Sequence, residues 1–495
     1  MISDAQYREW LKDDEGTAIR CVLIKTTAKF GGTDQTLYLS NLGYRTGAGD
    51  TPANTQYLDV VSGGVKTSEK VSIEGKVTMS WGTIEFDNSD GALDDWLDAV
   101  WKNNDIQVLY GDYTWPVADF RLAFTGINGE IDAKDRDRLQ LPVEDKLRKL
   151  TTALTEAKLG GTSANKDRLR PVLVGEAHNF EPLLINEADH EYQWHIGLGE
   201  RVIEVRDDGV PITVTTTLGT GTLMLDGSPE GQITMSAQGD ATGGYSNTLV
   251  GVVKKLVKNY GKADRRFTDA DLDLVQLANF DASHQQAVGE YFPDGPKVID
   301  ACQKIASSIG AQVTMSRAGL LQLLQITYPL GTPTVNITVD DMVEGSFRPV
   351  GKSEVKAAVT LKFCRNYTPQ DQLDSGVVEA HRDMFKKEWL TVTRTNGTVA
   401  TDHKLDTVLD ESDHEESSLL VENDANNEAD RRLLNRSTAH MTYQFEGHAQ
   451  CLTLERGTIV NLTHPRFNLS AGKTAVVVGL DPDWLNSRCI VQVMV

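Results

Sequence analysis

The chain has 495 residues, 40% of them hydrophobic and 24% charged, with a formal net charge of −22 and an isoelectric point near 4.9. That length exceeds one ordinary core, so roughly three or four domains are expected, and the apolar content is too high for a disordered chain. The acidic surplus disfavours phosphate backbones and so excludes tight nucleic-acid binding, and no run approaches the ~20 consecutive apolar residues that cross a bilayer.

The opening residues Met1–Tyr7 carry no basic stretch followed by an apolar run, so no secretory leader is expected and folding in a cytoplasm is implied. A short helix over Tyr7–Leu11 precedes strands at Ala18–Lys25, Leu37–Ser40 and Tyr57–Val61, the last two separated by the Gly/Thr/Pro-rich turn Gly47–Asn54. Strands follow at Val77–Trp81 and Thr83–Phe86. Asp87-Asn88-Ser89-Asp90-Gly91 then leads into a helix over Ala92–Val100 with Leu93, Trp96, Leu97 and Val100 on one face. Further strands at Ile106–Tyr110, Trp115–Thr125, Gly129–Ala133 and Arg138–Glu144 complete a small barrel-like domain, closed by Asp145–Leu150.

Gly160–Asn165 reads as a linker. A second β-rich module holds strands at Val172–Val174, Glu191–Trp194, Val202–Arg206, Val210–Thr217, Thr222–Leu225 and Gln232–Ser236, with a hairpin turn at Asp208-Gly209. From Thr248 the period becomes helical: Leu249, Val250, Val252, Val253, Leu256, Val257 and Tyr260 form one apolar face closed by Gly261. A second helix, capped by Asp269, carries Leu272, Val275 and Leu277; a third opens at Pro296 and buries Val298, Ile299, Cys302, Ile305, Ala306 and Ile309. A hairpin, Ala311–Met315 and Leu320–Ile326, completes a small α+β module. Beyond it come strands at Val335–Val339 and Val355–Phe363, a helical stretch Val377–Trp389, the strand Leu390–Thr393 and a helix over Asn426–Asn435. Strands at Met441–Phe445, Gln450–Leu454, Thr458–Leu462, Thr474–Val478 and Cys489–Val495 close the chain. Residues 401–430 hold eleven acids against Lys404 alone, −10 of the net charge. With little apolar content, residues 401–425 are expected to lie outside the core.

The patterns that bear chemistry fail on spacing. Cys21, Cys302, Cys364, Cys451 and Cys489 are far apart and in no CxxC pair, which points to buried small hydrophobes. Ala471-Gly472-Lys473-Thr474 lacks the earlier glycine of a phosphate loop, since position 468 is Asn468, and it lies between strands. His190 and His195 stand at i, i+5, not the i, i+4 of a helical zinc site. Asp269, Asp271 and Asp273 resemble the start of a calcium loop, but Leu274 and Phe280 occupy the positions that need glycine and glutamate; a helix start accounts for the acids better. Carboxylate pairs such as Asp94-Asp95 are what 71 acids produce by chance, and Trp81, Trp96, Trp101, Trp115 and Trp194 read as core. No catalytic, cofactor-binding or metal-binding residue is assigned, and no cofactor is expected.

The order of motifs is informative. Leu37-Tyr38-Leu39-Ser40-Asn41 with Gly43-Tyr44, then Trp81 through Gly91, resembles the opening of tail hub (baseplate hub) proteins of long-tailed phages and gene-transfer agents. Phe124-Thr125-Gly126 leading to Glu144-Asp145-Lys146-Leu147 is similar to that family's first barrel. Pro182–Ile185, Tyr192-Gln193 and Val205–Ile212 resemble its next module, and Val460–Phe467 its closing barrel strand. The resemblance implies an α+β, mainly β, multidomain fold: a hub β-barrel over 1–158, a β-rich module over 166–245, an α+β module over 246–330, and a second hub barrel over 331–495 with a helical, acidic insertion near 365–440. It implies a non-enzymatic virion protein, assembled in the host cytoplasm, that forms a homotrimeric ring at the tail tip. Implied partners are further copies of itself, the distal tail protein and tail tube, the tape measure protein, and tip or fibre proteins. DNA would pass through its channel without specific binding. Two other readings stand beside it: a carbohydrate-active tail or surface enzyme using a carboxylate pair, and a receptor- or sugar-binding protein.

Overall fold

The computed structural model describes residues 2–13, 16–72 and 81–495. The fold is α+β and mainly β, 40% strand against 21% helix in several sheets. After helix α1 (Asp4–Lys12) come β1 (Arg20–Phe30), β2 (Thr33–Ser40), β3 (Leu58–Asp59), β4 (Val61–Lys70), β5 (Trp81–Asp87), β6 (Asp105–Asp112), β7 (Arg121–Asn128), β8 (Asp132–Asp135) and β9 (Arg138–Glu144). The middle of the chain supplies β10 (Val172–Phe180), β11 (Leu183–Asn186), β12 (Glu191–Gln193), β13 (Gly199–Asp207), β14 (Val210–Ile212), β15 (Val214–Thr217), β16 (Thr222–Leu225) and β17 (Ile233–Asp240). Next are α2 (Leu249–Asn259), α3 (Leu274–Ser283), β18 (Gly289–Phe292), α4 (Val298–Ser307), β19 (Ala311–Met315), β20 (Leu321–Gln325), β21 (Val335–Ile337), β22 (Arg348–Lys352) and β23 (Ala358–Phe363). The last are α5 (Glu379–Lys386), β24 (Leu390–Thr395), α6 (Gly397–His403), β25 (Glu415–Glu416), α7 (Glu422–Arg436), β26 (Met441–Gly447), β27 (Ile459–His464), β28 (Leu469–Asp483) and β29 (Arg488–Met494). The chain forms two compact units: unit 1 comprises 1–148, 314–354 and 439–495, and unit 2 comprises 149–313 and 355–438.

Unit 1 is built on one sheet of 15 strands in the order β22-β26-β29-β28-β4-β5-β9-β7-β6-β1-β2-β3, with β8 on β9 and β27 between β28 and β21. The period of two decides which side chains enter its core. On β5, Gly82, Ile84 and Phe86 are buried, while Trp81, Thr83, Glu85 and Asp87 face outward. The N- and C-terminal segments meet where β4 pairs antiparallel with β28, Gly479 opposite Lys70 and Asp483 opposite Lys66, and Lys66 also pairs with Asp483 at 2.9 Å. Among the described residues there is no closed barrel. β3 runs through Val60 into β4, with Val60 N–H donating to Ser40 O beside β2 and Val60 O accepting from Asp87 N–H at the end of β5, while β28 pairs with the far end of β4, at Lys66, Glu69 and Lys70. Trp101, Tyr110, Phe86 and Phe445 are the largest side chains fully buried in this core.

Three local expectations change within unit 1. The helix expected over Ala92–Val100 is a 3₁₀ turn, Asp94–Asp98. With three residues per turn, Leu93, Trp96 and Ala99 share the buried line, while Leu97 and Val100 are 44% and 53% exposed. The strand expected over Gln450–Leu454 is also 3₁₀, Ala449–Thr453, closed by i→i+3 bonds from Cys451 N–H to His448 O and from Leu454 N–H to Cys451 O. Its neighbour Gly447 admits no side chain, because a Cβ there would sit 2.6 Å from Cys451 Sγ. β22 was not foreseen, since all five of its residues are exposed and it has no apolar alternation. Of the strand expected at Val77–Trp81, residues 77–80 lie outside the described residues and Trp81 begins β5.

Unit 2 holds sheets ordered β14-β13-β17-β10-β18, β11-β12-β16-β15 and β24-β23-β25. Asp208 and Gly209 both have positive φ, +46° and +87°, the two-residue turn whose twist suits the β13–β14 hairpin. Gly160–Asn165 is an ordered turn, with Thr162 N–H donating to Ile185 O at 2.9 Å and Ser163 buried. α2 begins where Thr248 Oγ1 accepts from Gly251 N–H, buries its whole apolar face, packs against α4 and ends at Gly261 with φ +79°. The cap of α3 is Asp273, not Asp269, and Val275 is 74% exposed. An extra 3₁₀ turn at Asp269–Asp271 shifts the helix start by a turn and rotates Val275 outward.

The acidic segment is only partly peripheral. Residues 401–413 are largely exposed, but β25 pairs parallel with β23, and Ser417, Ser418 and Leu419 are buried. Glu415 accepts from Arg432 Nη1 at 2.6 Å and from Arg436, while Glu428 accepts from Arg432 Nε at 2.6 Å and Arg431 Nε at 2.7 Å. Glu415 and Glu428 are therefore counter-charges of the α7 arginines, which the count of apolar residues in the segment does not reveal.

Candidate functional site

The residues singled out for chemistry serve the fold. His195 is 1% exposed, and its Nδ1 accepts from Leu173 N–H at 3.1 Å; burial pulls its pKa down to about 4, with the charge of Asp240 opposing and that of Lys255 adding to the shift. His190 lies in a turn with φ +47°. Asp269 binds Lys258 Nζ at 2.6 Å, Asp271 Oδ2 accepts from Thr268 N–H, and Asp273 caps α3, so the three acids do not converge. Among the described residues no group of three or more His, Cys, Asp and Glu side chains is placed to hold a metal. Ala471–Thr474 lies inside β28. Cys21, Cys302, Cys451 and Cys489 are buried, and burial raises their thiol pKa values; Cys364 is half-buried and shifted the same way for the same reason.

Trp81 differs from the other tryptophans. It is 62% exposed on the outer face of β5, at the register where Ser68 and Glu144 flank it, which corrects its assignment to the core. Further along that face Glu85 pairs with Lys134 and, at 3.4 Å, with Arg138, so the rings of Trp81 stand beside a charged surface. At the tip of the β27–β28 hairpin, Phe347 stacks on His464 at 4.1 Å and on Tyr443 at 5.2 Å, and the Arg466 guanidinium lies 5.2 Å from the ring of Phe467, itself 39% exposed. Aromatic side chains and arginine on a polar surface are the composition of interface anchors. The sheet edges are blunted: β3 has two residues, and β22 carries Arg348, Pro349, Lys352 and a bulge between Pro349 and Gly351. Side-chain contacts on the outer face, not strand addition at an edge, are what this surface offers. Sequence reasoning missed the exposure of Trp81 because alternation shows that a strand has two faces without showing which is covered.

Unit 2 contains a mainly apolar cavity of about 350 Å³, lined by His178, Asn179, Arg206, Cys364, Met384 and Phe385 among others. Arg206 lies 5.3 Å from the Phe385 ring, and Asn179 Nδ2 donates to Asn366 Oδ1 and Thr368 O. The Cys364 thiol at its wall is held protonated by burial and by the charge of Glu176, so it is no activated nucleophile.

No family model matches the sequence, and no curated protein matches it. Among solved structures the chain is similar to the 43 kDa tail protein of prophage MuSo2 from Shewanella oneidensis, at 9% identity and a TM-score of 0.41, covering 96% of this chain and 98% of that one. It is similar to the tail protein from Neisseria meningitidis MC58, at 10% identity and a TM-score of 0.39, covering 95% and 96%. It is also similar to a chain from the virion of a native gene transfer agent particle, at 13% identity and a TM-score of 0.44, covering 70% and 88%. The structures that this chain is similar to are thus tail proteins and a gene-transfer-agent virion.

Proposed function

We propose that this chain is a structural tail protein of a phage-type particle, the hub that joins the tail tube to the tail tip. In this reading three copies form a ring around a channel through which DNA passes without specific binding. The ring meets the distal tail protein and tube on one side and tip or fibre proteins on the other, and the tape measure protein ends there. The observation that carries the reading is where the hub-like motifs fall. Leu37–Ser40 lies in β2, Trp81–Asp87 is β5, Phe124–Gly126 lies in β7 and Val460–His464 forms most of β27. Motifs at opposite ends of the chain therefore belong to one sheet, sewn together by β4 and β28. Trp81 and the Phe347–Phe467 group supply exposed aromatic anchors of the kind that subunit contacts use.

Labelling of intact particles with an antibody to this chain, together with sedimentation of the purified protein, tests the proposal. Label at the tail tip and a trimer are expected. A chain absent from particles, or one that depolymerises host polysaccharide or peptidoglycan, would refute it.

A further inference from the structure

Val408 is the most exposed large hydrophobic side chain among the described residues, 87% open to solvent. It stands in a loop that also exposes Leu405 and the acids Asp402, Asp406, Asp410, Glu411 and Asp413, with Lys404 as the sole Lys or Arg between them. Among the described residues none of these five acids is ion-paired. The loop therefore presents an aliphatic anchor in a negative surround. Water is an unfavourable neighbour for such an anchor, and covering it favours association.

The mainly apolar cavity of unit 2 is its complement. Met384 lines the cavity and is nevertheless 56% exposed, and His381 and Lys387 on the same wall are exposed as well, so the mouth opens to solvent at α5. Phe385 and Leu390, half-buried, continue the apolar wall. No carboxylate lines it among the described residues; Glu204 and Glu176 lie behind the wall, paired with Arg206 and His178. Beside the mouth Glu379 pairs with Arg382 at 3.3 Å and Glu388 with Arg365 at 2.9 Å. Lys386 and Lys387, both exposed, have no ion pair among the described residues. An apolar hollow with a cationic rim fits an apolar anchor flanked by acids.

Loop and cavity lie at opposite ends of one pair of strands. The chain leaves β24 for α6 and the loop at Thr395, which pairs with Ala358, whereas the cavity adjoins the other end, where Leu390 pairs with Phe363 and Cys364 follows. We propose that the Val408 loop of one copy docks in this cavity of a second copy. Val408 packs on Met384, Phe385 and Leu390, and the flanking carboxylates meet Lys386 and Lys387. Each copy gives one loop and receives one, a head-to-tail contact of the kind that closes into a ring when the rotation between copies allows. The contact rests on the self-assembly proposed above and gives it a place in unit 2.

Sedimentation equilibrium of the full chain tests the contact, with thermal unfolding as the check on folding. The unmodified chain should self-associate, less strongly as salt is raised. Val408→Asp in the loop, and Met384→Glu with Lys387→Glu at the cavity, should each weaken association by at least about tenfold, the loss of one buried aliphatic anchor, and leave the melting temperature unchanged. Val408→Ile should associate like the unmodified chain. If the double variant melts lower, Lys387→Glu alone, on the surface, takes its place. Mixing the loop variant with the cavity variant should restore a heterodimer, because one copy keeps its cavity and the other its loop. Three results overturn the contact: a monomeric unmodified chain, association unchanged in Val408→Asp, or a mixture that associates no better than either variant alone. Any of them, with label still found at the tail tip of particles, leaves the hub reading standing. Association that depends on Val408, in a chain absent from particles, sinks the hub reading and leaves the contact.

Discussion

His195 shows how one side chain couples the fold to pH. The unfolded chain titrates it near 6.5, whereas burial holds it at about 4 in the folded protein. A depressed pKa means that the unfolded state takes up the proton first as pH falls. The stabilising contribution is therefore whole above pH 6.5 and lost progressively as pH falls from 6.5 towards 4, on the order of 3 kcal/mol in all. The midpoint of urea unfolding, followed against pH, should fall over that window, and His195→Asn should flatten the slope there. Trp81 makes the opposite case of a large side chain that contributes little to its own core. With 62% of it exposed, Trp81→Ala should leave the melting temperature nearly unchanged while weakening self-association in sedimentation equilibrium. A loss of several degrees on melting would instead show that Trp81 is structural.

At the scale of elements, the segment from 401 to 421 divides in two. Replacing residues 404–413 with a Gly/Ser linker of equal length should leave a cooperatively melting protein, because that stretch is largely exposed. Extending the replacement through Leu419 should not, because it removes β25 and the carboxylate of Glu415. Arg432, 8% exposed in its side chain, would then lose one of its two carboxylate partners. Breaking such a cluster from the other side, with Arg432→Met, should cost roughly 3–5 kcal/mol in denaturant unfolding of unit 2. The cluster also has a pH signature. Burial raises the Glu415 pKa, but the hydrogen bond from Arg436 and the charges of Arg432 and Arg436 outweigh it and hold the carboxyl below its usual 4.5. Its contribution is therefore present above pH 4.5 and lost as pH falls below that value, later than the loss from His195.

At the scale of the whole molecule, the acidic surplus bears on assembly. If three copies enclose a DNA channel, a wall rich in carboxylates repels phosphate and offers no counterion release, so DNA slides without sticking. A cryo-microscopy map of the tail tip is expected to show a ring with a net negative inner surface; a lumen rich in Lys and Arg would sink the reading. Thermal unfolding in EDTA or dithiothreitol should match the untreated protein, and a drop of several degrees would point to a metal or disulfide that contributes to stability.

Much of the fold could be read in the sequence because local rules govern it. The apolar face of α2, with Thr248 before it and Gly261 after it, and the Asp208-Gly209 turn are set by residues within a few positions of one another. The mainly β class follows from runs such as β5 and β9, where side-chain alternation is a property of the strand itself. What only tertiary structure decided involves partners far apart in the chain. β28 pairs with β4 across the length of the chain, Glu415 turns inward because Arg432 and Arg436 await it on α7, and Arg317 and Arg456 converge on Glu69. Trp81 stays outside because its face of β5 remains uncovered. None of these leaves a mark in its local sequence, since a charge or an aromatic ring reads the same whether its counterpart is solvent or a residue hundreds of positions away.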